Sequence, residues 1–200
     1  MSKKILFSLS KAMTIILATV FTMLLLVSCP TPEDIPAVGT KYDDEKNNLR
    51  YIVNDDRTLS VKEPIDSTRE DWDCIIPEDY EGIKVTSIGD SAFDGCSVLA
   101  SITIPSSVTS IGSYAFSDCH SLISITIPDS VTCIGNDAFS YCYSLTSVTI
   151  PDSVTSIGKD AFCDCDSLTN ITINQKEGTI SGSPWGAPNG ESIVKWQGQF

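Results

Sequence analysis

Residues 108–130 read VTSIGSYAFSDCHSLISITIPDS, and this stretch is one of four successive copies of a single 23-residue pattern. The other copies are VTSIGDSAFDGCSVLASITIPSS (85–107), VTCIGNDAFSYCYSLTSVTIPDS (131–153) and VTSIGKDAFCDCDSLTNITINQK (154–176). Ten of the 23 positions are identical in all four copies, and no insertion separates them. Self-similarity at a fixed period of about 20–50 residues is typical of a solenoid, in which each coil buries its apolar side against its neighbours. The pattern therefore predicts a stack of four coils.

The apolar positions of a copy predict a strand. Ile125 and Ile127 alternate with Thr126, as they do in a strand with one buried face, and Pro128 follows where the ladder pairing ends. We expect Leu122 to bring the chain into this strand from the preceding turn.

The other half of the coil predicts a second short segment and a turn. Val131 and Ile134 are expected to face inward, and Gly135 to permit a corner conformation that a Cβ would penalise. Ala138 and Phe139 then begin a short helical or irregular turn.

The full pattern V-T-x-I-G-x-x-A-F-x-x-C-x-x-L-x-x-[IV]-T-I-P resembles the BspA-like leucine-rich repeat family over residues 73–176. The resemblance implies a leucine-rich repeat solenoid, mainly β with short helical turns, whose coils stack into a short rod with β-rich caps. It also implies a bacterial surface lipoprotein or secreted protein that takes part in adhesion or in host or matrix contact.

The segments on either side of the repeats (85–176) predict caps. In residues 49–84, two alternating runs around a turn at 54–56 predict a β-hairpin, and Cys74-Ile75-Ile76-Pro77 matches the end of a repeat strand, which predicts a first rung. Residues 177–200 are expected to form a C-terminal cap that carries Trp185 and Trp196. Such caps cover the apolar ends of a solenoid.

Residues 1–28 predict a lipoprotein signal peptide, with basic residues at its start and an apolar run over 12–27. Leu26, Val27, Ser28 and Cys29 resemble a lipobox, which implies cleavage before Cys29 and its acylation. The protein would then be lipid-anchored in the bacterial cell envelope, at the outer membrane or the cell surface. An ordinary cleaved signal with a chance cysteine is the alternative. Residues 29–48, which contain three prolines, predict an extended tether.

The charge of the chain argues against one class of partner. The formal net charge is −13, and removal of the three leader lysines leaves ten basic against 26 acidic residues, or −16. Such a surface repels phosphate backbones, so nucleic-acid binding is disfavoured.

Most of the residues that could bind a metal or take part in catalysis are better explained by structural roles. The cysteines at the repeat period point in parallel from neighbouring coils, which disfavours disulfides and metal chelation, so we expect buried apolar side chains. The Cys163-x-Cys165 pair is a weak redox or metal motif, and Asp129 and Asp152 lack the dense spacing of a calcium loop. His120 is the single histidine, and no catalytic constellation accompanies it. We therefore expect neither a cofactor nor enzymatic activity.

Two sets of outward-facing positions are candidates for ligand binding. One is a hydroxyl-rich strand face, although threonine also favours strands for its own sake. The other comprises positions that vary between copies, where packing does not dictate the residue and where tyrosine favours interfaces. These candidates are Thr103, Thr126, Thr149, Thr172, Ser124, Ser147, Tyr114, His120, Tyr141 and Tyr143.

The sequence thus predicts a lipid-anchored, cell-surface binding protein whose partner is a protein or a glycan. A structural or self-associating protein of the cell envelope is the alternative, because repeat surfaces can also bind copies of themselves.

Overall fold

The computed structural model describes residues 36–69 and 73–197, which form a β-solenoid of about six turns with almost no helix. The predicted signal peptide, Cys29 and residues 30–35 of the predicted tether lie outside the described residues. Within the two described ranges, no helix is long and apolar enough to cross a membrane.

Fourteen strands and one short 3-10 helix, Gly190–Ile193, make up the described fold. The strands are β1 (Lys41–Asp44), β2 (Leu49–Val53), β3 (Leu59–Pro64), β4 (Asp73–Ile75), β5 (Asp79–Tyr80), β6 (Ile83–Ile88), β7 (Ser101–Thr103), β8 (Ser110–Ile111), β9 (Ser124–Thr126), β10 (Cys133–Ile134), β11 (Ser147–Ile150), β12 (Ser156–Ile157), β13 (Asn170–Ile173) and β14 (Val194–Trp196).

The first side of each coil is the strand predicted from the Ile-x-Ile alternation. Strand β4 pairs in parallel with β7, and β9, β11, β13 and β14 form a parallel sheet in that order. Ile125 and Ile127 are buried whereas Thr126 between them is exposed, which confirms the predicted alternation. Cys74 lies opposite Ile102 in this ladder, so β4 precedes the strand of the first copy as a further rung.

The second side of each coil joins the repeats to the N-terminal cap. Strands β6, β8, β10 and β12 pair in parallel, and the sheet continues through β3 to β2 and β1. Strands β2 and β3 form the predicted hairpin, and Val61 of β3 lies opposite Ile88 of β6. The hairpin thus covers the first edge of the second sheet.

The third side of each coil is an irregular turn, and the predicted short helices are absent from residues 85–176, all of which are described. Each copy has two residues with positive φ, four positions apart, such as Tyr114 (56°) and Asp118 (57°). L-residues in the left-handed region interrupt a right-handed helix. Alternate N–H groups instead donate to the next coil, from Tyr114 to Asn136 (2.9 Å) and from Phe116 to Ala138 (2.8 Å). The turns therefore form a third ladder between coils.

The core consists of columns of identical residues from successive coils. Phe93, Phe116, Phe139 and Phe162 are fully buried, and their rings stack with centroids 5.2–5.5 Å apart and planes within 5° of parallel. This spacing is close to the distance between neighbouring strands, about 4.7–4.9 Å. One aromatic ring per coil therefore fills the centre of the stack.

Gly135 is required for a different reason from the predicted one. Its φ is not positive, so it occupies no special corner conformation. A Cβ at this position would lie 2.4 Å from the backbone nitrogen of Ser113 and 2.5 Å from the carbonyl carbon of Gly112. Gly112 and Gly158 have similarly close backbone neighbours in the preceding coil. The repeated glycine therefore allows adjacent coils to approach.

Strand β1 lies inside the range for which the sequence predicts a tether, so that prediction is wrong for residues 41–44. The strand pairs antiparallel with β2, and the Arg50 guanidinium binds Asp43 (2.6 Å) and Glu63 (2.8 Å) across the three strands. Tyr42 also meets Tyr80 edge-on, with ring centroids 6.0 Å apart. Because ion pairs rather than alternating apolar residues hold β1, the hydrophobic pattern does not indicate it.

The C-terminal cap is a divergent fifth coil. Val194 lies opposite Ile171, and Trp196 opposite Ile173, each one repeat length further along the chain. Trp185 is buried one repeat length after Phe162, and its carbonyl accepts the Phe162 N–H at 3.0 Å. The cap therefore continues both the strand ladder and the turn ladder with residues that no longer match the repeat.

Candidate functional site

The strand face carries a regular ladder of hydroxyl groups. Thr103, Thr126 and Thr149 are exposed in successive rungs, and Ser124 lies opposite Ser147 in a parallel column. These hydroxyl groups therefore lie on one surface, and neighbouring rungs are about 4.8 Å apart.

This hydroxyl face changes character at both ends. Thr172 is half-buried, and its hydroxyl oxygen accepts a hydrogen bond from the Asn170 amide at 2.9 Å. In the rung beyond it, Lys195 occupies the threonine position, and at the opposite end Ile75 does so. The uniform part of the face is therefore limited to the middle rungs.

Three of the variable positions come together on the turn side of the solenoid. The His120 ring stacks on Tyr143, with centroids 4.8 Å apart and an interplanar angle of 26°. Tyr141 meets Tyr143 edge-on at 6.3 Å and 76°. Both tyrosine side chains are 41% exposed. We refer to His120, Tyr141 and Tyr143 as the aromatic cluster.

The turn ladder explains why these side chains converge. The Asp118 N–H donates to Ser140 and the Tyr141 N–H donates to Cys163, at 2.9 and 2.8 Å, so residues of one repeat position stack on the same position of the next coil. Tyr141 also has a positive φ of 59°, which turns its side chain outward from the buried residues on either side. The backbone therefore holds the cluster in place.

Carboxylates lie on both sides of the aromatic cluster. Asp118 and Asp164 occupy the position of Tyr141 in the preceding and following coils, and Asp166 occupies that of Tyr143 in the following coil. The negative charge of Asp164, with a smaller contribution from Asp118, raises the pKa of the Tyr141 hydroxyl above its ordinary value. The Asp118 carboxylate also contacts the His120 ring at 3.3 Å. The electrostatic environment of the cluster is thus anionic.

Tyr114 does not belong to this cluster. It is 47% exposed and also has a positive φ, but it occupies a repeat position four residues earlier in the turn. In the described part of the chain its ring contacts no other aromatic ring. Tyr114 is therefore an isolated exposed tyrosine.

The cysteines of the repeat column are buried, as predicted. The Cys119, Cys142 and Cys165 thiols donate to backbone carbonyls of the preceding coil at 3.0–3.2 Å. Burial raises the pKa of the Cys96 thiol to about 11. These thiols are therefore packing groups that also link neighbouring coils.

The remaining cysteines are separate from one another. Cys133 and Cys163 are half-buried, and Cys163 donates to Asp164 at 3.2 Å, which raises the pKa of its thiol to about 11. Its neighbour Cys165 faces the core, so the C-x-C pair does not present two thiols to one point.

Two corner carboxylates share a shallow depression. Asp129 and Asp152 line it together with Ser153 and Asn174. Calcium requires about six to eight oxygen ligands, and among the described residues no group of three or more metal-ligating side chains converges. We assign no cation to this depression.

Two features of the surface were not predicted from the sequence. Ile123 is 56% exposed, immediately before the hydroxyl face. The carboxylates beside Tyr141 were also missed, although a step of one repeat length in either direction along the sequence finds Asp118 and Asp164. The neighbours of an exposed residue are found only when the same repeat position is compared in adjacent coils.

Comparison with known proteins settles the family. A family model described as BspA type Leucine rich repeat region, in six copies, matches residues 78–184. The chain belongs to this family. The match begins in the N-terminal cap and ends at the start of the divergent fifth coil, so this BspA-type leucine-rich repeat protein extends its repeat architecture beyond the four well-matched copies.

Solved structures of bacterial leucine-rich repeat proteins resemble this BspA-type protein. The leucine rich repeat protein of T. pallidum is 25% identical, with a TM-score of 0.58 over 78% of this chain and 81% of the other. A leucine-rich repeat protein from Bacteroides capillosus is 25% identical, with a TM-score of 0.57 over 67% and 98%. A leucine rich cell surface protein from Faecalibacterium prausnitzii is 25% identical, with a TM-score of 0.51 over 80% and 55%. A comparison with curated protein sequences found no match.

Proposed function

We propose that this BspA-type leucine-rich repeat protein is a non-enzymatic, cell-surface binding protein that contacts a protein or glycan partner through the aromatic cluster. The observation that carries the proposal is the convergence of Tyr141, Tyr143 and His120 at repeat positions whose identity packing does not dictate. Tyrosine supplies a large contact area and is enriched among the residues that dominate binding energy. The hydroxyl face is the second candidate contact surface.

The rigidity of the turn backbone supports the aromatic cluster as the contact surface. The cluster lies on a turn whose alternate N–H groups are bonded to the next coil, so little side-chain or loop ordering is needed when a partner binds. A solenoid scaffold does not by itself specify a ligand, so the partner has to be recognised by these exposed groups.

We also propose that a lipid at Cys29 anchors the protein in the bacterial envelope, with the solenoid at the cell surface. The Leu-Val-Ser-Cys sequence at residues 26–29 supports the anchor. The similar F. prausnitzii structure is that of a leucine rich cell surface protein, which supports the location. Proteinase K added to intact cells should degrade the protein, and protection until the outer membrane is opened would instead indicate a periplasmic location.

Binding can be tested with the mature chain carrying Cys29→Ser, which keeps strand β1 and removes the acylation site. Biolayer interferometry against a panel of immobilised matrix proteins and glycans would compare it with Tyr141→Asn/Tyr143→Ser. Asn tolerates positive φ, and serine occupies the Tyr143 position in the first copy. We expect the double variant to lose at least about fivefold in affinity, or about 1 kcal/mol, for any partner found.

Two controls make this result specific. Tyr114→Asn removes a tyrosine of similar exposure that also has a positive φ, and it should leave binding unchanged. Thr126→Lys/Thr149→Lys alters the hydroxyl face and should have a smaller effect than the cluster variant. If the threonine variant abolishes binding and the tyrosine variant does not, the binding surface is the strand face.

Self-association is the second candidate function, and one feature of the second sheet favours it. Strand β12 ends this sheet, and no other described strand pairs with its outer edge. Unpaired strand edges are templates for pairing with another chain. Light scattering of the mature chain over a wide concentration range distinguishes the candidates: growth of the mass with concentration favours assembly, whereas a constant monomer mass excludes it.

A further inference from the structure

The aromatic cluster and the carboxylates beside it form a surface with a definite charge preference. Tyr141 lies between Asp118 and Asp164 along the stack, and Tyr143 lies between His120 and Asp166. Carboxylates thus flank the Tyr141 ring on both sides and the Tyr143 ring on one side.

No lysine or arginine among the described residues neutralises the charge on this surface. Residues 85–176 contain nine aspartates and only two lysines, Lys159 and Lys176, and no arginine or glutamate. Lys159 contacts Asp160 at 3.2 Å. In the described part of the chain, neither Asp164 nor Asp166 forms an ion pair with a lysine or an arginine. One Asp164 oxygen accepts a hydrogen bond from the Cys163 thiol at 3.2 Å, which leaves its second oxygen and the Asp166 carboxylate to receive N–H groups of a partner.

We propose that the aromatic cluster together with Asp118, Asp164 and Asp166 binds an arginine-bearing basic segment of a protein partner. This inference rests on the proposed function and names the chemistry of the partner. A guanidinium plane stacks on a tyrosine ring while its N–H groups donate to carboxylates, and both acceptor types are present here. The lysine ammonium lacks the planar fork, so arginine is preferred.

The same features disfavour the other class of partner. A neutral glycan can stack on the tyrosine rings and donate hydroxyl hydrogen bonds to the carboxylates, but it carries no positive charge to compensate theirs, and an anionic glycan is repelled by them. Binding of a neutral glycan would therefore be insensitive to salt concentration, whereas binding of a basic segment weakens as salt rises, which makes the two classes distinguishable.

The probe is a fluorescein-labelled peptide with four arginines separated by glycine or serine, titrated with the mature Cys29→Ser chain by fluorescence anisotropy. We expect saturable binding that weakens between about 50 and about 300 mM NaCl, because exposed charges are screened at high salt. The same peptide with lysine in place of arginine should bind at least about threefold more weakly, since it loses the stacking and the bidentate contacts.

Matched variants separate this site from the general negative charge of the protein. Asp164→Asn/Asp166→Asn and Tyr141→Asn/Tyr143→Ser should each weaken peptide binding at least about fivefold. Asp129→Asn/Asp152→Asn removes the same charge from the coil corners, and Tyr114→Asn removes a matched tyrosine; both should change affinity less than about twofold. Urea melts of every variant verify that the solenoid remains folded.

Several results would overturn the inference. Equal losses in the two aspartate pairs would mean that the peptide senses only net charge, and unchanged affinity in the tyrosine variant would remove the cluster from the contact. If the arginine peptide fails to bind while a partner from the panel still depends on Tyr141 and Tyr143, this inference fails and the proposed function stands. If no partner depends on the cluster, both fail.

Discussion

Gly135→Ala should destabilise the solenoid by forcing two coils apart. The new Cβ would lie 2.4 Å from the Ser113 nitrogen, whereas ordinary Cβ contacts begin at 3.4 Å, so the backbones have to separate by 1.0 Å. The flanking hydrogen bonds from Gly135 to Ile111 and from Thr132 to Thr109 are 2.9 and 2.8 Å long. Lengthened by that amount, both would exceed the usual limit of about 3.2 Å.

The cost follows from these two losses. Each hydrogen bond contributes about 0.5–1.5 kcal/mol net, and overpacking of a close contact costs a further 1–3 kcal/mol or so. We therefore expect the free energy of unfolding to fall by about 3 kcal/mol. With a urea m-value of about 1–3 kcal/mol per molar, the midpoint of the urea transition should fall by about 1–3 M.

Gly95→Asp is the matched control for this measurement. Gly95 has a positive φ and no atom within 4 Å of a built Cβ, and the second and fourth copies carry aspartate at the same position with positive φ. We expect it to cost less than about 1 kcal/mol, since aspartate tolerates this conformation. A Gly135→Ala midpoint equal to that of the control would refute the claim that coil approach requires glycine.

Three further predictions concern the core, the cysteines and the anchor. Phe116→Ala should cost about 3–5 kcal/mol because it removes one ring from the continuous stack, and an unchanged unfolding midpoint would mean that the repeat register is wrong. In native alkylation at pH 8 followed by mass spectrometry, half-buried Cys133 should react before the buried column cysteines, and Cys163 should react slowly because Asp164 raises the pKa of its thiol; equally fast labelling of Cys119 would contradict the described burial. Cys29→Ser should abolish fatty-acid labelling, and labelling that persists would exclude Cys29 as the acylation site.

The repeat allowed much of the fold to be predicted, because each inward residue of a coil recurs in identical surroundings. The alternation at Ile125 and Ile127 predicts the strand, and Cys74 predicts the first rung, since both follow from burial of one face. The irregular turn could not be predicted in the same way: positive φ occurs there at Tyr114 and Tyr141, residue types that do not usually indicate it. The hydrogen bonds of the turn ladder between coils stabilise that conformation. The conformational preferences of single residues do not predict these bonds.

The candidate site was predictable only in part. Tyr141, Tyr143 and His120 were identified as variable positions, but their convergence depends on how one coil stacks on the next. Strand β1 was missed for a related reason, because Arg50 links it to β2 and β3 through carboxylates rather than through apolar residues. In both cases the deciding contacts join residues in different coils or strands.

The most direct test of the proposed site is an NMR titration of the mature Cys29→Ser chain, carrying ¹³C-labelled tyrosine, with the arginine peptide. The chain has six tyrosines. Three lie on strands of the N-terminal cap (Tyr42, Tyr51 and Tyr80), and three lie in the turns of the repeats (Tyr114, Tyr141 and Tyr143). We predict saturable shifts of the Tyr141 and Tyr143 resonances, with Tyr51, Tyr80 and Tyr114 unchanged. Shifts confined to the cap tyrosines, or equal small shifts of all six, would contradict the proposal.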